Sequence, residues 1–398
     1  MLIKEIKTHA ENIFPKVVAI RRHLHQHPEL SFQEVKTGKF IAEKLTMLKI
    51  PHSTGWAQNG VVAIIQGEGS GYRNKIIALR ADIDALPITE ANDVPYKSKN
   101  EGIMHACGHD VHTASVLGAA MILNKIKKHF SGKVKIIFQP AEEKLPGGAS
   151  ILIKEGVLKK PKPSVIFGQH VHPPLEVGKV GFCPGQYMAS ADELYMSLKG
   201  KGGHAALPQD CIDPLVVTAQ IILALQQLVS RQANPLIPSV LTFGKINSVG
   251  GATNVIPNEI KLQGTFRTMD EKWRKKAHKQ MQRIAQNIAK AYGATCDLEI
   301  VKGYPSLFND PELTHKARSR AVTYLGEKNV VDLPKRMTAE DFAYYSQQIP
   351  ACFYRLGTGN TKKGITSPVH TTTFDVDENC LKLATGLMAW LTVCQLNE

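Results

Sequence analysis

The stretch "MHACGHDVHT", Met104 to Thr113, places one cysteine, three histidines and an aspartate within ten residues. Such a set suits a redox site, a nucleophilic cysteine, half of a structural zinc site or part of a catalytic metal centre. Cys107 and His109 stand one residue apart, and His112 follows where a helix should begin. As a loop entering a helix, Cys107 and His109 could both face one ion. Buried free cysteines and helix-start histidines are also common, so the stretch alone does not choose among these chemistries.

Three further stretches repeat one placement. "FQPAEE" puts Glu142 and Glu143 directly after an apolar run, where two buried carboxylates would repel unless a cation lay beside them. "FGQHVHPP" puts His170 and His172 at the end of another run, and "LRADIDALP" puts Asp82 and Asp84 after a third. In open α/β sheets the carboxyl ends of the strands form the ligand crevice. His370, in "SPVHTTTFDVDE", is a lone and distant histidine, which by itself reads as structural as readily as a ligand.

The elements that must carry these groups are legible as apolar runs. Residues 61–67, 75–80, 133–139 and 164–170 are rich in Val and Ile and read as buried strands. "HTASVLGAAMILNKIKKHF" reads as a helix between two of them. Residues 1–27 predict an amphipathic helix ending at Pro28, and 31–48 a second one. Strands alternating with helices predict an α/β domain whose sheet is mixed and largely parallel, flanked by helices. Near residue 187 the texture changes to four alternating strands and two helices, an α+β insert built on an antiparallel sheet. The expected organisation is a discontinuous catalytic domain, 1–186 and 304–398, with an inserted lid or dimerisation domain at 187–303.

At 398 residues two domains are the natural expectation, and 43% hydrophobic with 21% charged residues is ordinary for a folded chain. The N-terminal residues mix charges into their apolar positions, against a secretory signal, and no run of about 20 apolar residues suggests a membrane span. Seven scattered cysteines without a CxxC pair fit a reducing cytoplasm. The net charge of +14 raises the question of nucleic acid. The lysine clusters fall near helix ends or opposite apolar stripes, with no aromatic-interleaved groove, so they read as solvated faces. The charge would still attract anionic small substrates.

Taken in order, "RRHLHQHPELSFQE", "LRADIDALPI", "MHACGHDVHT", "FQPAEE", "GQHVHP", "GKGGHAALP", "NVIP" and "GTFRT" resemble the metal-dependent N-acyl-amino-acid amidohydrolases of the aminoacylase–carboxypeptidase superfamily. Within it the chain is most similar to the branch of hippurate hydrolase and the plant auxin-conjugate hydrolases. The resemblance runs from about Arg21 to Glu378. It implies two divalent cations (Mn, Zn, Co or Ni) on Cys107, His109, Glu143, His170 and His370, with Glu142 as general base and acid. Asp82 and Asp84 stand where the family usually has His-x-Asp and are expected to support the ligands from behind. His204, Asn254 and Arg267 match groups that close over substrate, His204 on the oxyanion and Asn254 or Arg267 on the substrate carboxylate, which would require a hinge movement. A small N-acyl-amino acid is the implied partner, with no nucleic acid and no membrane; dimers through the insert are frequent in the superfamily, while this branch also resembles monomeric and tetrameric proteins. A dipeptidase or carboxypeptidase of the same superfamily, a Cys107 nucleophile and a basic binding protein are the rival readings. Three departures bear on substrate preference: Thr338-Ala339 replaces Gly-Ser, His370 lacks a following Ser/Asn-Pro, and His172 stands at a frequently aromatic position. The histidines of "RRHLHQHPEL" are read as structural, since the ligand set is complete without them.

Overall fold

The four Val- and Ile-rich runs become neighbouring strands. In this computed structural model, which describes residues 1–71 and 75–398, they are Gly60–Gln66, Ile76–Asp82, Lys133–Gln139 and Val165–Glu176. From one edge, the eight-stranded sheet runs His52–Trp56, Gly60–Gln66, Lys133–Gln139, Ile76–Asp82, Val165–Glu176, Ala351–Gly359, Val180–Phe182 and Val330–Asp332. The central four, from Lys133–Gln139 to Ala351–Gly359, are mutually parallel, while both flanks include antiparallel pairs. Ile77, Leu79, Ile136, Phe138 and Phe167 are fully buried, because helices cover both faces of a parallel core.

The helix His109–Lys125 is buried along nearly its whole length, since it packs on the sheet and against helices Leu2–Gln26 and Cys380–Leu396. The first helix ends at Gln26, as the Pro28 signal predicts, and carries Pro15 inside it. The second helix covers Val35–Met47, starting later than expected because residues 30–34 turn back over the sheet. The strand bearing His170 runs six residues past it, held by pairing with Ala351–Gly359 that no local pattern announces.

The chain divides into two compact units: residues 1–185, 308–334 and 341–398, and residues 186–307 with 335–340. The second unit is a four-stranded antiparallel sheet, ordered Ser239–Val249, Glu259–Thr268, Asp192–Lys199 and Thr295–Lys302. Helices Pro214–Gln227 and Glu271–Ala291 pack on it. Lys335–Glu340 joins this unit through hydrogen bonds between Arg336 and both Tyr187 and Ala189. The 19-residue helical stretch Pro214–Gln232 is long and apolar enough to cross a membrane by length and composition, which the expectation of no such run overlooked. Its Val217, Ile221, Leu225 and Leu228 instead bury in the core of this unit.

Candidate metal centre

Asp82 ends its strand and is fully buried. One oxygen accepts from Arg80 at 2.6 Å and the other from His112 Nδ1 at 2.5 Å. Burial opposes its charge, but His109, Arg80 and His112 outweigh that and hold it well below the usual carboxylate range. His112 Nε2 accepts the Val171 N–H at 2.9 Å, so the ring proton must sit on Nδ1. Both nitrogens are therefore committed. Although His112, Asp82 and His109 lie close enough to hold an ion, His112 serves as a brace between the helix start and the His170 strand.

Asp84 does the same for His109. Its Oδ1 lies 3.0 Å from His109 Nδ1, which leaves Nε2 pointing away, buried and without a hydrogen bond among the described residues. Asp84 Oδ2 accepts from Ser31 Oγ at 2.7 Å and from the Glu143 N–H at 3.0 Å. Burial alone would lower the His109 pKa, but Asp82, Asp84 and Glu143 raise it to about 10. The carboxylates around Nε2 thus call for a positive charge there, which a proton or a metal ion can supply.

Cys107 lies in the loop before that helix, buried, with Sγ 3.4 Å from His170 Nε2 and 3.3 Å from His370 Nε2. Burial, Glu143, Glu142 and Asp82 push its thiol well above the ordinary value. His170 Nδ1 is held by the Val171 carbonyl at 2.8 Å, and burial beside Arg355 keeps the ring neutral, its pKa well below the ordinary value. His370 sits on a loop at φ 64°, where its N–H donates to the Ala106 carbonyl at 2.8 Å. That bond ties it to the loop of Cys107, which is 263 residues away in sequence.

Glu142 and Glu143 follow the strand Lys133–Gln139. Glu143 Oε1 is buried and makes no hydrogen bond among the described residues, although His370 Nε2 is 3.2 Å away. Glu142 Oε1 accepts the Asp341 N–H at 3.3 Å, and Oε2 lies 4.0 Å from His109 Nε2. Asp341 is itself clamped by Arg80 at 2.7 Å and by Gln139 at 2.7 and 2.8 Å. Sequence reasoning missed this Arg80–Gln139–Asp341 clamp. Its only signal was an arginine and a glutamine within buried strands, an unusual place for either.

Two groups of donors result, Cys107–His109–His170 and Cys107–Glu143–His370, each with its ligand atoms within 4.8 Å of one another and with Cys107 common to both. The donor set fits a pair of divalent cations. His109 Nε2 and Glu143 Oε1 are buried without a hydrogen bond among the described residues, and a cation is what would offset the raised thiol of Cys107. Asp82 and Asp84 stand behind the donors, and His172 is only half-buried. His204, Asn254 and Arg267 belong to the other unit. There His204 pairs with Val255 in a short ribbon and Asn254 bonds Ala205, while Arg267 lies on the four-stranded sheet.

Residues 78–392 match the peptidase family M20/M25/M40. The chain is 40% identical to the N-acetylcysteine deacetylase of Bacillus subtilis over 96% of its own length and 97% of that protein. It is 39% identical to thermostable carboxypeptidase 2 of Saccharolobus solfataricus, over 98% of each. A solved structure, the Bacillus subtilis YXEP protein, described as a dinuclear metal binding peptidase from the M20 family, superposes with a TM-score of 0.83. It is 38% identical, and the match covers 97% of this chain and 99% of that one. A hydrolase fold with a metal-suited donor cluster is thereby defined. The chain belongs to peptidase family M20/M25/M40 and is a metal-dependent amidohydrolase.

Proposed function

We propose that this chain cleaves the amide bond of N-acyl-amino acids, releasing a carboxylic acid and a free amino acid. The observation that carries the reading is the sharing of Cys107 between two donor groups, with the Glu142 carboxylate beside His109. Cys107, His109, Glu143, His170 and His370 would hold two divalent cations, and thiolate, imidazole and carboxylate together suit Zn, Mn, Co or Ni. When bound, the cations supply Lewis acidity and lower the pKa of water toward neutrality.

The remaining chemistry falls to the protein. With Oε1 held by the Asp341 N–H, Glu142 turns Oε2 toward the donors. It takes the proton of the attacking water and returns it to the amide nitrogen as the C–N bond breaks. The water oxygen leaves in the new carboxylic acid. His204 is assigned to the developing oxyanion, and Arg267 or Asn254 to the substrate carboxylate, for which the planar fork of arginine is well shaped. Those three roles rest on the resemblance.

The deacetylase relative supports small N-acyl groups, and the carboxypeptidase relative supports a second reading, in which a peptide's C-terminal residue takes the amino-acid half. A Cys107 nucleophile is disfavoured, because a reactive thiol needs its pKa lowered and this one is raised. The deciding experiment assays metal-depleted protein, with each metal restored in turn, on a panel of N-acetyl- and N-benzoyl-amino acids and dipeptides. Chelation should abolish turnover reversibly. Glu142→Gln should retain the metals and lose about 100-fold or more in kcat. Parental turnover by that variant would sink the base assignment, and chelator-insensitive activity blocked by iodoacetamide would return Cys107 to the role of nucleophile.

A further inference from the structure

The N-terminal "HPELSFQE" stretch is left without a role by the chemistry above, yet it lies against the site. After the first helix the chain crosses the sheet end, with Leu30 bridging Ala85 and the Ala85 N–H donating to the Glu29 carbonyl. Ser31 bonds Asp84. Three residues on, Glu34 is fully buried, and its Oε1 accepts the Ala141 N–H at 2.7 Å. Its Oε2 accepts from Asn59 Nδ2 at 3.2 Å, and the same Asn59 amide also holds the Phe32 carbonyl.

Ala141 is a buried, non-glycine residue at φ 54°, a conformation that an L side chain resists and that surrounding structure must impose. Its carbonyl is fixed by the Gly148 N–H at 2.8 Å, and a Cβ at Gly148 would fall 1.7 Å from the Pro140 oxygen. Glu142 is the next residue. Its two neighbours are thus each held through a backbone N–H by a buried carboxylate, Ala141 by Glu34 and Glu143 by Asp84.

We propose that Glu34 is a positioning residue for Glu142, acting by holding Ala141 in its left-handed turn so that the Glu142 carboxylate meets the reacting water. The role rests on the assignment of Glu142 as base. Removing the acceptor leaves a buried N–H unpaired on a strained residue, and the turn relaxes at the residue before the base. Turnover then suffers while substrate affinity, set elsewhere, does not. A merely structural Glu34 would change stability with no selective effect on kcat.

The test compares Glu34→Ala, Glu34→Gln and Glu142→Gln with the parent, all loaded with manganese, on an N-acetyl-amino acid that the parent cleaves. Metal content is measured on each protein. Glu34→Ala should lower kcat at least tenfold with KM within about twofold and metal content unchanged, and Glu34→Gln, which keeps an acceptor oxygen, should recover most of the loss. Should the alanine variant fail to fold, Glu34→Asp withdraws the acceptor by one methylene and should show the same loss. Parental kcat in a folded acceptor-less variant overturns the proposal, as does a loss that follows metal content. If Glu142→Gln itself keeps parental turnover, the base assignment falls and the positioning role with it. An inactive Glu142→Gln beside a fully active Glu34→Ala removes the positioning role alone.

Discussion

Burial treats the carboxylates near the donor cluster unequally. Asp84 is fully buried, yet His109, Ser31 and the Glu143 N–H together hold its pKa below the usual value. The described donors to Glu34, Asn59 and the Ala141 N–H, are neutral, so burial and the neighbouring Asp84 charge raise its pKa to about 7 from 4.5. Below about pH 4.5 Glu34 is protonated folded or unfolded and contributes no pH dependence. Between 4.5 and 7 the unfolded chain releases the proton while the folded one keeps it, so stability falls as pH rises. Above 7 the full cost is present, on the order of 3 kcal/mol at 1.36 kcal/mol per unit. Glu34→Gln does not titrate. In metal-depleted protein its melting temperature should therefore improve relative to the parent between pH 5 and pH 8. Thermal unfolding of both proteins across that range checks this, and a difference that stays constant with pH would refute the charge on Glu34 as its source.

At the scale of elements, the helix His109–Lys125 aims the donors, and Gly108 sets its start. Gly108 has φ +81°, and a Cβ there would lie 2.6 Å from Val171 Cγ2. Val171 follows His170, and its N–H is the one that His112 accepts. Gly108→Ala should therefore move both sides of Cys107 at once. The left-handed conformation costs about 1–2 kcal/mol and the overlap about 1–3 more. The expected outcome is a lower melting temperature together with reduced metal retention, and an alanine variant with parental values of both would show that the contact yields freely. This coupling was not legible in the sequence, whereas the strands were. Runs such as Val134–Phe138, buried on both faces, announce themselves by composition, and Asp82 and Glu142 could be placed at or beyond strand ends from that alone, whereas His170, read as ending its run, lies mid-strand. His370 could not be placed, because what brings it to Cys107, 263 residues away, is a backbone bond between two loops. The same holds for Arg21 and His25, which grip Asp110 at 2.8 Å from 89 and 85 residues off, next to the ligand candidate His109.

For the molecule as a whole, the second unit presents a surface that asks for a partner. Ser239–Val249 is an edge strand, paired on one side by Glu259–Thr268, and it exposes Val240, Ile246 and Val249. Helix Pro214–Gln227 of the same unit buries one face on the sheet and leaves Leu215, Val216 and Leu223 exposed, Leu223 by 69%. An edge strand beside exposed apolar side chains is a feature that proteins ordinarily cover, although here a register shift between Phe243 and Lys245 interrupts the ladder. The pairing of two chains through the insert that the family resemblance implies would cover it, edge strand against edge strand, as a two-fold arrangement of one self-complementary surface allows. The net charge of +14 opposes self-association, so pairing should weaken as ionic strength falls. In light scattering at micromolar concentration the protein should run at twice its chain mass. Ile246→Lys with Leu223→Glu should shift it to the monomer while leaving the melting of the metal-binding unit near the parental value, because both side chains are solvent-facing within their own unit. A parent that is monomeric at tens of micromolar, or a double variant that remains paired, would place the assembly surface elsewhere or remove it.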